Sequence, residues 1–62
     1  MWGVIYVAHS KNEATRIKQT LEDDGIIART REVLSGRDNG ALIEILVMET
    51  DIANAYEIIL SI

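Results

Sequence analysis

The sequence has no cysteine, no proline and no phenylalanine, and only one histidine and one tryptophan among its 62 residues. Without cysteine, disulfides and thiolate zinc sites are excluded. A single histidine rules out a multi-histidine metal site within one subunit, and no metal is expected. Basic residues are scarce, with Lys and Arg totalling 6 against 10 Asp and Glu, for a net charge of −4. Nucleic-acid binders usually present a basic face, so no nucleic-acid partner is expected. Long hydrophobic runs are also missing. The apolar run Val4–Ala8 is far shorter than the roughly 20 residues that a membrane helix needs. The first residues lack a basic segment followed by a long apolar core, so they do not read as a secretory signal. The expectation is a cytoplasmic protein without a membrane partner.

Hydrophobic residues make up 48% of the chain, as in ordinary globular proteins. The length fits one domain, 1–62. A chain of about 60 residues buries only roughly 60% of its unfolded surface, so its stability is marginal. With no staples available, tight packing and self-association remain as stabilising devices.

Trp2–Ala8 is rich in β-branched and aromatic residues and reads as the first strand. Ser10-Lys11-Asn12-Glu13 matches a capping box, with the Ser10 hydroxyl accepting from the Glu13 amide and the Glu13 carboxylate reaching back to the Ser10 amide. The first helix then spans about Lys11 to Asp24. Ala14, Ile17 and Leu21 give it one narrow buried stripe. Gly25 is placed to end it in the left-handed conformation.

Ile26–Leu34 reads as the second strand, with Ile26, Ala28 and Thr30 on one face and Ile27, Arg29, Arg31 and Val33 on the other. Asn39-Gly40, within Ser35–Gly40, is a hairpin signal. Ala41–Met48 is apolar except for Glu44, as suits a central strand. Ile43, Ile45 and Val47 share one face; Leu42, Leu46 and Met48 share the other. Thr50 is expected to cap a second helix, whose inward stripe is Ile52, Ala55 and Ile59. No low-complexity segment or internal repeat is evident.

The order β-α-β-β-α predicts a small α+β domain. The third strand lies between the first and second, giving a three-stranded sheet of order one-three-two with both helices on one face. That is the ferredoxin-like plan without its last strand. Two consequences follow. The first strand keeps an open edge, and the second sheet face has no helix layer. Burying one large aliphatic side chain is worth about 1.5–3 kcal/mol, so a monomer that leaves several wet forgoes much of a small domain's stability. Ile58, Ile59, Leu60 and Ile62 add further apolar surface at the end of the chain. A homodimer or higher oligomer is expected, with Trp2, Val4, Tyr6, Leu42, Leu46 and Met48 as interface candidates.

The stretch "VIYVAHSKNEATRIKQTLEDDGI", with Glu13-Ala14 and Leu21-Glu22-Asp23-Asp24-Gly25, resembles the short bacterial domains known as prokaryotic signal-transducing proteins. That family has no assigned function. Glu44 to Leu60 is similar to the same family's second half, so the resemblance covers nearly the whole chain. It implies a ferredoxin-like, GlnB-like fold and no defined reaction. The long nucleotide-binding loop of nitrogen-regulatory proteins has no counterpart here, because only Ser35–Gly40 joins the second and third strands. Some similar short chains carry the name glutamate decarboxylase. Such an enzyme needs a pyridoxal phosphate pocket and a Schiff-base lysine. Lys11 and Lys18 both fall on the polar side of the first helix, and 62 residues do not enclose that cofactor. The label reads as a misassignment, and no cofactor is expected.

Candidate chemistry is sparse. His9, Ser10 and Lys11 sit at a helix start, where free amides and the helix dipole attract a phosphate or carboxylate. Set against that is an exposed turn histidine beside a structural cap. A Ser10–His9 nucleophile pair is disfavoured, because sequence neighbours rarely align and Ser10 is committed as a cap. Glu22, Asp23 and Asp24 form a solvated acidic helix end, offset by pairing with Arg29 or Arg31. The expectation is a non-enzymatic regulatory or interaction module that acts as a homo-oligomer. The alternative is a sensor of a small anionic ligand at the first helix, and another protein partner is also compatible.

Overall fold

The computed structural model describes residues 1–34 and 41–62, with the side chains of Leu34 and Ala41 not described. The expected Asn39-Gly40 turn lies outside the described residues. The elements are β1 (Trp2–Ala8), α1 (Lys11–Asp23), β2 (Ala28–Leu34), β3 (Ala41–Met48), a 3₁₀ turn (Glu49–Asp51) and α2 (Ile52–Leu60). The sheet order is β1-β3-β2, and β3 runs antiparallel to both neighbours. This is the α+β, β-α-β-β-α arrangement read from the sequence.

One core lies between the sheet and the helices. β1 supplies Ile5 and Ala8, β2 supplies Ala28, and β3 supplies Ile43, Ile45 and Val47. From the helix side come Ala14, Ile17 and Leu21 of α1 and Ala55 of α2, so both helices share one sheet face. Ile52, Ile58 and Ile59 pack against this cluster while staying partly exposed. Leu60 and Ile62 do not join it and remain 84% and 61% exposed. A side chain added at Gly3 would sit 3.0 Å from Ile52 Cδ1, so the glycine lets α2 approach β1 closely.

α1 starts and stops through local chemistry. The Ser10 hydroxyl accepts from the Glu13 amide at 3.1 Å, half of the expected capping box. The other half differs. Glu13 Oε1 accepts from the His9 amide at 2.9 Å rather than from the amide of Ser10. The reason lies in β1, where the Tyr6 hydroxyl donates to Glu13 Oε2 at 3.0 Å and draws the carboxylate toward the strand.

At the other end, Asp24 is the C-cap and Gly25 has φ +84°. The Gly25 amide donates to the Glu22 carbonyl and the Ile26 amide to the Leu21 carbonyl, both at 2.9 Å. This pair of bonds is a Schellman motif. It also explains why β2 begins at Ala28 rather than at Ile26, since the Ile26 amide is committed to the helix end. Ile26 is still buried, whereas Ile27 is 69% exposed.

α2 departs from its expected cap. The Glu49 amide donates to the Met1 carbonyl at 2.9 Å, extending the β1–β3 contact by one step. The chain then tightens into the 3₁₀ turn, with the Ile52 amide donating to the Glu49 carbonyl. Thr50 therefore lies inside the turn. Asp51 is the N-cap, and its side chain makes no capping bond.

β1 is not regular. Val4 faces Leu46 and Tyr6 faces Ile45, the next residue back along β3, so Ile5 is the extra residue of a β-bulge. Alternation along β1 resets there. Ile5 and Tyr6 both turn to the helix side, while Trp2, Val4 and Val7 share the other face. Regular alternation groups Tyr6 with Trp2 and Val4, and the bulge separates it from them.

Candidate functional site: the helix-free face of the sheet

The strand register lays the open face out in rows. Trp2 faces Met48. Val4, Leu46 and Arg29 form the next row, then Val7, Glu44 and Arg31, and last Leu42 and Val33. Val4, Val7, Val33 and Met48 are all exposed. With strands about 4.8 Å apart and residues rising about 3.3 Å, the face measures roughly 300 Å² in projection. Its apolar part is smaller, because Arg29, Arg31 and Glu44 share the face; the largest apolar patch on a single chain, typically about 300–600 Å², is often functional.

A span of two side chains crosses this face. The Arg29 guanidinium carbon lies 4.4 Å from the centroid of the Trp2 ring. Arg29 is on β2 and Trp2 on β1, so the pair reaches over the central strand. Beneath it, Leu46 is only 9% exposed although no helix lies on that side. Such an exposed cation–π pair contributes about 0.5–1 kcal/mol. One row further along, Arg31 Nε donates to Glu44 Oε1 at 2.7 Å. Both groups retain solvent contact, so this ion pair is worth about 0–1 kcal/mol. The face thus carries two cations and one anion on a chain whose net charge is −4.

Among the sequence candidates for this surface, the structure brings together Trp2, Val4, Leu42, Leu46 and Met48. Tyr6 is turned away by the bulge. Val7 and the Trp2–Arg29 span were not foreseen, and Val33, expected on one face with Arg29 and Arg31, was not among the interface candidates. Val7 depends on the bulge, which periodicity does not signal. The span depends on combining strand order with register, since β1 and β2 are apart in sequence and flank β3.

The start of α1 is assembled as a structural joint. His9, Ser10 and Lys11 are all exposed. Ser10 accepts from Glu13, and the Glu13 carboxylate already occupies the His9 amide. An incoming anion has to displace this internal carboxylate. The His9 amide, followed by the Tyr6 hydroxyl, holds the Glu13 carboxyl below its ordinary value of 4.5. The same contact raises the Tyr6 hydroxyl above its ordinary 10.0, because the neighbouring carboxylate disfavours a phenolate. Lys11 Nζ lies 3.8 Å from Glu32 Oε1, a loose exposed contact.

The acidic end of α1 is balanced from within its own helix. Lys18 Nζ lies 3.9 Å from Glu22 Oε2, and Gln19 donates to Asp23 Oδ1 at 2.9 Å. Arg29 and Arg31 do not reach these acids, because the first stacks on Trp2 and the second pairs with Glu44. Among the described residues, no three His, Asp or Glu side chains group as a metal site. Nor is any helix there long and apolar enough to cross a membrane. No family model, curated protein or solved structure matches the chain.

Proposed function

We propose that this protein is a non-enzymatic regulatory or interaction module that works as a homo-oligomer, with a second copy covering the helix-free sheet face. One observation carries the reading: exposed Val4, Val7, Val33 and Met48 share a face with the nearly buried Leu46, and no helix layer covers it. Charge supports the choice of partner. Each copy carries a net charge of −4, but on this face Arg31 is paired with Glu44 and Arg29 stacks on Trp2, so two copies meet there without opposed blocks of acidic charge. The Ser10 hydroxyl is engaged as a helix cap, which weighs against a Ser10–His9 nucleophile pair. A cytoplasmic, GlnB-like role in bacterial signal transduction belongs to the same proposal. It rests on the resemblance of Glu13-Ala14 and Leu21–Gly25 to the prokaryotic signal-transducing domains.

The testing variant is Val4→Asp. It places a charge on an exposed position of the face and spares the core. Sedimentation equilibrium is expected to show an oligomer for the parent chain and a folded monomer for the variant. An unchanged oligomer in the variant removes this face as the interface.

A further inference from the structure

A groove of about 460 Å³ runs between α1 and α2, on the side of the sheet opposite the open face. Its volume lies within the range of about 300–1,000 Å³ usual for small-molecule sites. Three kinds of chemistry line it. Tyr6 and Glu13 contribute a hydrogen-bonded hydroxyl and carboxylate. Arg16 contributes a guanidinium three residues along the same helix, and positions so spaced are neighbours on a helix surface. Ile17, Ile59 and Ile62 form an aliphatic wall.

Neither charge is used up, although Arg16 is near enough to help hold the Glu13 carboxyl low. Arg16 makes no ion pair among the described residues. Each Glu13 oxygen accepts one hydrogen bond, from His9 or Tyr6, and retains acceptor capacity for another. The lowered Glu13 value keeps this group ionised at neutral pH.

Two further grooves among the described residues lack this combination. In the one beside β2, Lys11 and Lys18 already meet Glu32 and Glu22. The one at the far end of the helices is lined by Asp24 and Glu57 with no cation.

We propose that the α1–α2 groove binds a free α-amino acid with a branched aliphatic side chain. Its ammonium group meets Glu13, its carboxylate meets Arg16, and its side chain packs on Ile17, Ile59 and Ile62. A zwitterion satisfies both charged groups at once. A simple acid brings its carboxylate beside Glu13, and a simple amine brings its ammonium beside Arg16. The site does not depend on the oligomer, because it faces away from the open sheet face.

The test is an NMR titration of the full chain with three probes: L-leucine, the acid that lacks its amino group, and the amine that lacks its carboxylate. Leucine is expected to shift the Tyr6, Arg16 and Ile59 resonances saturably. Each analogue is expected to bind at least about tenfold more weakly, the loss typical of one charge-assisted hydrogen-bonding group. Arg16→Gln, at an exposed position that leaves the core intact, is expected to weaken leucine by about the same factor. Absence of saturable shifts with leucine overturns the proposal. So do equal binding of all three probes, undiminished binding by Arg16→Gln, and shifts confined to the open sheet face.

Discussion

The Tyr6 hydroxyl donates to Glu13 Oε2 at 3.0 Å, tying the bulged strand to the first turn of α1 across seven residues of sequence. The other carboxylate oxygen accepts from the His9 amide, so one side chain closes the whole strand–helix junction. This junction titrates at both ends of the pH scale. The Glu13 value is lower in the folded chain than the ordinary 4.5, so its contribution is present above that pH and is lost as pH falls through the lowered value. The Tyr6 value is raised above 10.0, so its contribution is present below that pH and is lost as pH rises through the raised value. Thermal melts from acid to alkaline pH are expected to show stability falling at both extremes. In Glu13→Gln the acid limb is expected to shrink, and an identical acid limb in the variant contradicts this role.

The caps of α1 give a second, quantitative expectation. Ser10→Ala removes the acceptor of the Glu13 amide and is expected to cost about 1 kcal/mol. Gly25→Ala forces a side chain into a left-handed backbone with nothing nearby to clash, so the cost is the backbone term alone, about 1–2 kcal/mol. Urea unfolding measures both. A neutral Gly25→Ala variant means that the helix ends differently in solution.

Leu21 is fully buried and also supplies the carbonyl that accepts from Ile26. Leu21→Ala is expected to destabilise by about 2–5 kcal/mol. In so small a domain that loss approaches the total stability. Circular dichroism is expected to show a largely unfolded chain, whereas Leu60→Ala, at a position 84% exposed, is expected to leave stability nearly unchanged.

The Trp2–Arg29 span makes the open face visible by fluorescence. Arg29→Ala removes the cation over the Trp2 ring, with an expected cost of about 0.5–1 kcal/mol in the monomer. In the proposed assembly a second copy covers Trp2 as well. Its emission is therefore expected to move to shorter wavelength as protein concentration rises. Concentration-independent emission argues against a second copy on this face.

Much of this architecture is legible in the sequence, for identifiable reasons. Gly25 and the Ala14, Ile17 and Leu21 stripe fix α1, because left-handed backbone and helical periodicity are local properties. The apolar run of β3 places that strand at the centre, and the sheet order follows. What escapes is non-local. The bulge at Ile5 depends on pairing with β3, and it alone moves Tyr6 from the open face to the core side. The Glu13 carboxylate meets the His9 amide rather than that of Ser10, because a strand residue pulls on it. Arg29 looks free to meet the acidic helix end until the register sets it across β3 from Val4, one row from Trp2.

Sedimentation equilibrium of the intact chain at micromolar concentration tests the central claim most directly. The expected result is a dimer or higher oligomer that Val4→Asp reduces to a folded monomer. A parent chain that stays monomeric throughout that range, with Leu46 and its exposed neighbours open to solvent, contradicts the account.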